Sequence, residues 1–535
     1  MSISWALDGA IILGYFTLIV GLGLYMGRKE DSMHDFALGG RKIPWWAVLA
    51  SIVAAETSAG TFLGTPGEGY SLRNYTYLQL AFGTILARII IAFIFIKPYY
   101  DYNVYSIYEF LTVRFGTRSK NAASAVFLVT RVLASGTRLY VAAIILVLTY
   151  ELFTGARPDK HSELLIYLAA ITFVVVLTAI YTTFGGIKAV IWTDLIQATI
   201  MLGSALAAIW LLFRAIPGGM DTITARLSGP HDLQVIDSGI EAGKSFWQNV
   251  KGILESEYTM FAALLGSTFT TMATHGTDQD MVQRMLTAKD IKRSRLSLIL
   301  SGLADIPIVV IFLTIGVLLW VFYQALPDAN LPKKTNEIFS YYILNGLPPG
   351  MRGLLIAGIF ATAMGSLSTA LNALATSYTR DWHEPYFAKN PGDAASLRTV
   401  RWATVVFSVL MIVVAAGTAY FVIIRPDKRI VPIALGIFGY TYGSLLGVFL
   451  VGMLTKKRGN DFGNQLGMIL GFIAVAVLSG LPNDLAQLFG RQLYAQPDWL
   501  PVIEFPWRIL FGTIVTFSVA CLFRTPPEVV AAKSR

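Results

Sequence analysis

The chain has 535 residues, of which 55% are hydrophobic and only 14% charged. A water-soluble protein carries about a quarter charged residues, so this composition excludes a soluble globule. The formal net charge of +9 does not mark a nucleic-acid binder, because the basic residues sit at the ends of apolar segments rather than in one patch.

The N-terminus, Met1 to Gly9, lacks the basic start of a cleavable signal peptide, so the first apolar segment is expected to remain as a span. In chain order, about 13 segments are apolar and long enough to cross a bilayer: 5–27, 45–65, 75–97, 121–150, 163–184, 189–213, 257–276, 296–323, 350–379, 402–424, 430–454, 464–481 and 506–524. All are expected to be helical, since an unclosed strand leaves backbone groups unsatisfied in lipid. Arg28, Lys29, Arg41 and Lys42, then Arg114, Arg118 and Lys120, then Arg284 to Arg295, then Lys456 to Arg458 fall on one side. That bias predicts an outside N-terminus and a cytoplasmic C-terminus in a bacterial-type inner membrane. Arg425, Lys428 and Arg429 make a basic turn on the other side that the rule does not explain. The loops 214–256 and 324–349 are too short to bury a core of their own, which leaves one membrane domain.

Within the spans, polar residues are concentrated in a few places. Ala50 to Tyr70 packs Glu56, Thr57, Ser58, Gly60, Thr61, Gly64 and Pro66 into one segment. Gly and Pro loosen the helical ladder, and freed carbonyls at membrane depth are tolerated where they line a cavity, as in the broken helices of transporters. Small-residue packing is the competing explanation, but it leaves Glu56 unexplained. Gln79 follows as a polar contact for a solute. Arg88, Arg131 and Arg138 lie inside spans, the last two seven apart and so on one face. Arg138 can meet an anionic solute or pair with Glu56 or Asp194. Asp194, with Gln197 three residues on, is an intramembrane carboxylate and hence a site candidate, or the partner of a loop cation.

Thr270 to Leu286 reads TTMATHGTDQDMVQRML, a polar run with a glycine that ends a span abruptly. It matches the first broken span in position, with five spans intervening in each case, which points to an inverted-repeat transporter. His275 is a site candidate or a packing residue. In Met351 to Thr379, Thr362, Ser366, Thr369, Asn372 and Thr376 form a polar stripe, with Gly365 and Ser368 beside it. Neutral oxygens in such a stripe suit an alkali cation, and interhelical hydrogen bonding suits them equally. Cys521 is alone, so no disulfide or cysteine metal cluster exists, and the five histidines show no pairing with a nucleophile. No enzyme is expected.

The stretches AAETSAGTFLGTPGEGY, SIYEFLTVRFG, TTFGGIKAVIWTDLIQ, GTDQDMVQRMLTAKD and ATAMGSLSTALNALATSYTRD resemble, in order, those of the sodium/solute symporter family. This family carries sugars, proline, sialic acid and vitamins with sodium. The resemblance covers about residues 5–455 and implies an all-α leucine-transporter-like fold of two inverted five-helix repeats, 45–213 and 257–454. Residues 1–44 would add an N-terminal helix and 455–535 two C-terminal ones, with 214–256 an extracellular loop. Sodium is the implied co-substrate. Its main site would use Ala54, Thr57, Thr362, Gly365 and Ser366, although many members carry a hydroxyl where Gly365 stands. A second site would use Asp194, Ser368 and Thr369. Ser58, Thr61, Gln79, Thr274, His275 and Arg138 would face the solute. The family's sugar carriers have aromatic residues where Thr274 and His275 stand, so a stacked sugar is not expected. The remaining alternatives are a proton-coupled symporter, using Glu56 or Asp194, and a non-transporting solute sensor.

Overall fold

The spans are helical, as a lipid-embedded backbone requires, in a computed structural model that describes residues 3–29, 31–154, 158–388, 391–424, 436–491, 493, 497 and 500–527. The basic turn at 425–429 lies outside the described residues. Among these, the principal helices are α1 (Ile3–Met26), α2 (Trp45–Glu56), α3 (Ala59–Leu72), α4 (Leu80–Ile94), α5 (Thr117–Thr154), α6 (Lys160–Ala215), α7 (Thr268–Gly276) and α8 (Gln279–Leu286). They continue as α9 (Ile291–Ala325), α10 (Met351–Ser377), α11 (Asp393–Ile424), α12 (Ile437–Leu454), α13 (Asp461–Leu478) and α14 (Phe505–Leu522).

Ten helices among the described residues are long and apolar enough to cross a membrane, or eleven if α2 and α3 form one bent span. The expected 13 is not reached by that measure, for two reasons. The expected spans 163–184 and 189–213 are two helices joined end to end across a kink, and are labelled together as α6. Their joint is Gly186, at φ 53 and ψ −159, a conformation open to glycine because it has no Cβ. The expected span 257–276 is short, a π-helical turn over Ala262–Ser267 followed by the nine-residue α7. The loops expected to lack a core do so, holding only the short helices Gly219–Arg226, Phe246–Leu254 and Thr335–Asn345.

Both expected interruptions are present. The first span bends by 66° between α2 and α3. Thr57 is extended there, and Ser58 caps α3 by accepting from the Thr61 N–H at 3.3 Å. A helix that stops at Glu56 leaves the carbonyls of its last turn, Ala54 among them, without their usual donors four residues on. The second break falls between Gly276 and Gln279, where Asp278 caps α8. Here the freed carbonyls are satisfied: the Tyr99 hydroxyl donates to Gly276 O at 2.6 Å and the Tyr108 hydroxyl to Thr277 O at 3.3 Å. α10 runs through the middle of the bundle, with Thr362, Ser368, Thr369, Asn372 and Thr376 all buried, so its hydroxyl stripe faces protein rather than lipid.

Candidate functional site

The two breaks, α10 and α5 surround a net of buried charge. Asp278 holds Arg131 and accepts from the Tyr442 hydroxyl at 2.6 Å. Arg131 also reaches Asp280 at 3.2 Å. From the far side, Arg284 bonds Asp280 Oδ1 at 2.5 Å, Asp194 Oδ2 at 3.2 Å and the Ser51 hydroxyl at 2.7 Å. Ser51 in turn donates to Asp194 Oδ2 at 2.6 Å. Asp194 and Arg284 are 0% exposed, so each is tolerated only because the other is there. Arg284 is thus not the cytoplasmic loop cation that its place in a basic run suggested, and Asp194 has the ion-pair partner offered as its structural role.

Asp194 nevertheless keeps one oxygen free. Its Oδ1 is buried with no hydrogen-bond partner, and so is Gln197 Oε1. Both face Gly365 of α10. A Cβ built on Gly365 would lie 3.0 Å from Gln197 Oε1, 3.5 Å from Asp194 Oδ1 and 3.8 Å from Ala54 O. The hydroxyls of the stripe turn back on their own helix: Thr362 to Ile359 O, Ser366 to Thr362 O, Ser368 to Gly365 O and Thr369 to Ser366 O, at 2.8–3.1 Å. Each keeps lone pairs for another partner. Thr369 also leans on Asp280, at 3.4 Å. Lower in the stripe, Asn372 and Thr376 accept from Gln283 at 2.7 and 3.3 Å, so that half clamps α8.

A second group of charges stands beside the first break. Arg88 binds Glu56 and Asp305, the latter at 2.9 Å, and donates to the Ser301 hydroxyl at 3.0 Å. His275 contacts Glu56 through Nε2, while its Nδ1 lies 2.9 Å from the Thr274 hydroxyl. Glu56 and His275 form one wall of a cavity of about 540 Å³ with Arg131, Arg138, Thr270, Thr274, Phe438 and Arg508. A smaller cavity of about 250 Å³ on the other face of Glu56 is lined by Thr57, Thr61, Tyr77, Thr84 and Asp305. A third, of about 10 Å³, lies between the break and α10 beside Ser58, Ser366 and Arg138.

Arg131 and Arg138 share a face as expected, their guanidinium groups 5.3 and 5.1 Å from the Phe438 ring centre. They differ in partners. Arg131 is paired with Asp278 and Asp280 through its two terminal nitrogens, whereas Arg138 pairs with neither Glu56 nor Asp194, the two acids suggested for it, because Arg88 and Arg284 hold those. Among the described residues no carboxylate bonds Arg138.

Gln79 departs from expectation. It lines none of these cavities and is 0% exposed. Its amide N donates to Thr76 O and Tyr258 O at 3.2 and 3.0 Å, and its oxygen accepts from Asp237 N at 3.1 Å. It ties loop to helix. Asp278, Asp280, Asp305, Phe438 and Arg508 were not singled out beforehand. Two aspartates one residue apart in a span, four residues from an arginine, were the available signal for the first two.

Two interrupted helices facing each other across a cavity, with a central helix carrying oxygens between them, define a membrane carrier of the broken-helix class. The chain belongs to the sodium:solute symporter family, whose model matches residues 36–471. Its activity is therefore sodium-coupled solute symport. It is 25% identical to the sodium/sialic acid symporter SiaT of Proteus mirabilis, over 87% of this chain and 88% of the relative. It is 26% identical to the human sodium-coupled monocarboxylate transporter 1, over 91% of this chain and 74% of that one. A solved sodium-coupled sialic acid symporter in a substrate-bound outward-open state shares the fold, with a TM-score of 0.77 and 22% identity over 96% of this chain and 97% of that one.

Proposed function

We propose that the solute is a small organic anion carrying hydrogen-bond donors, taken up into a bacterial-type cell with the N-terminus outside and the C-terminus in the cytoplasm. The observation that carries this is Arg138, a guanidinium at the wall of the 540 Å³ cavity with no carboxylate bonded to it among the described residues. An unpaired charge at membrane depth costs several kcal/mol, and a carboxylate on the solute removes that cost. Arg presents a planar fork suited to a carboxylate. In the same cavity Glu56, His275, Thr274 and Thr270 offer acceptors for hydroxyl or amide groups of the same solute. Relatives named for sialic acid and for monocarboxylates carry anions, in line with this reading.

Sodium would bind between the α2 break and α10, among Ala54, Thr57, Thr362, Gly365 and Ser366, drawing the two elements together. Ser58 and Thr61 connect that place to the cavities, since Ser58 caps α3 and Thr61 lines the smaller one. Coupling then follows if sodium stabilises the arrangement in which Arg138 and Glu56 face one cavity, because a ligand shifts an equilibrium only through differential affinity. In this scheme 45–213 and 257–454 move against each other as the two repeats. Asp194, Ser368 and Thr369 would add to sodium binding only through Asp194 Oδ1, since Arg284 and Ser51 already hold Oδ2.

Uptake into proteoliposomes under an inward sodium gradient at fixed pH tests this. Carboxylates should compete with one another and their uncharged amides should not. Uptake that follows the pH gradient alone would move the coupling from sodium to protons, and binding without flux would make the protein a sensor.

A further inference from the structure

We infer that Gln197, beside the Asp194 that the family resemblance already gives to sodium, supplies the side-chain oxygen that Gly365 lacks, and that Gly365 is glycine to leave room for it. The inference rests on sodium binding between the α2 break and α10, and adds to it one ligand from α6. Three oxygens converge on the open face of Gly365: an amide, a carboxylate and a main-chain carbonyl, at 3.0, 3.5 and 3.8 Å from where a Cβ would stand. Gln197 is 1% exposed and Asp194 is 0% exposed, and neither free oxygen has a donor. A buried acceptor without a donor is costly, and two together with a helix-end carbonyl form a hard-oxygen cluster that an alkali cation satisfies.

The remaining atoms of both side chains are tied so as to aim these oxygens. The Gln197 amide N donates to the Tyr15 hydroxyl of α1 at 3.3 Å, which directs Oε1 toward α10. Asp194 Oδ2 is held by Ser51 and Arg284, which directs Oδ1 the same way. A serine at 365 would press its Cβ to 3.0 Å from Gln197 Oε1, so the amide would have to give way by a few tenths of an ångström for a hydroxyl to stand on α10.

The test is a sodium titration of thermal unfolding on the purified full-length protein without solute, choline replacing sodium at constant ionic strength. Gln197→Met keeps the volume and removes the oxygen. It should raise the sodium concentration for half-maximal stabilisation by about tenfold, the loss typical of an altered metal-site residue. Gly365→Ala should raise that midpoint as well, while leaving the sodium-free unfolding temperature equal or higher, since alanine is the better helix former. A purely structural role for Gly365 would lower the sodium-free temperature instead. The double variant Gly365→Ser with Gln197→Ala should return the midpoint toward wild type by restoring one side-chain oxygen. If Ser366→Ala moves the sodium midpoint while Gln197→Met and Gly365→Ala do not, the Gln197 ligand is wrong and the site on α10 stands. If none of these variants moves it, the sodium site itself lies elsewhere.

Discussion

Charge is buried in opposite ways on the two sides of the first break. Around α8, Arg131, Arg284, Asp194, Asp278 and Asp280 are locked to one another, with Arg284 and Asp278 both 0% exposed. Toward the 540 Å³ cavity, Arg138 is bonded by no carboxylate among the described residues, and Glu56 is shared between Arg88 and His275. Arg131 and Arg138 sit on one helix face over one phenyl ring, yet the first is framework and the second is left for cargo. What a membrane-embedded charge does is therefore decided by its partners rather than by its depth or its helix.

The largest effect should come from breaking the framework side. Arg284→Leu strips Asp194 and Asp280 of their shared cation, and removing one partner of a buried pair costs about 3–5 kcal/mol. Thermal unfolding in detergent should drop further than for any other single variant here, with transport lost. An unchanged transition would show that the net does not hold the fold. The cargo side should respond differently. Arg138→Ala leaves no carboxylate stranded and removes a charge that is costly without its solute, so the solute-free unfolding temperature should stay level or rise. A charged hydrogen bond to the solute is worth about 1.5–3 kcal/mol, so half-saturation for an anionic solute should rise by about 10- to 100-fold in sodium-driven uptake. Arg138→Lys should recover part of it. A melt as low as that of Arg284→Leu would move Arg138 into the framework.

Much of this division was readable along the chain, and the remainder was not, for a physical reason. Spacing along one helix shows which residues share a face, so the hydroxyl stripe of α10 and the Arg131–Arg138 pair were visible, while the Gly, Pro and polar content of 50–70 announced a broken span without placing the break. Pairing across helices depends on packing, and the pairs that decide function here join positions far apart in sequence: Glu56 with His275, Arg88 with Asp305, Asp194 with Arg284. Arg284 reads as a loop cation because its neighbours are basic, although α8 carries it into the interior. The departure at Gly365 was legible as a missing hydroxyl. That Gln197 stands in the space was not, since it comes from α6.

A smaller effect is expected on the sodium side of α10. Ser366→Ala removes one neutral oxygen, worth about 1 kcal/mol, so the sodium concentration for half-maximal uptake should rise about fivefold. Solute half-saturation at saturating sodium should stay put, because Ser366 bonds its own helix and Arg138 does not depend on it. A change in both would mean that the two regions are not separable in this way.

The smallest effect on transport should come from Gln79, which a family resemblance places at the solute. Its amide is spent on Thr76 O, Tyr258 O and Asp237 N, leaving nothing to offer a cavity that it does not line. Gln79→Ala should therefore leave solute half-saturation within about twofold, since surface-independent losses of this kind fall on the fold rather than on a ligand. What it loosens is the junction of the 214–256 loop with α4 and the turn at Tyr258, so amide exchange should quicken over residues 234–260 while the core helices keep their protection. A large rise in solute half-saturation with unchanged exchange would put Gln79 back among the solute contacts, and would mean that the side chain turns inward when the cavity closes.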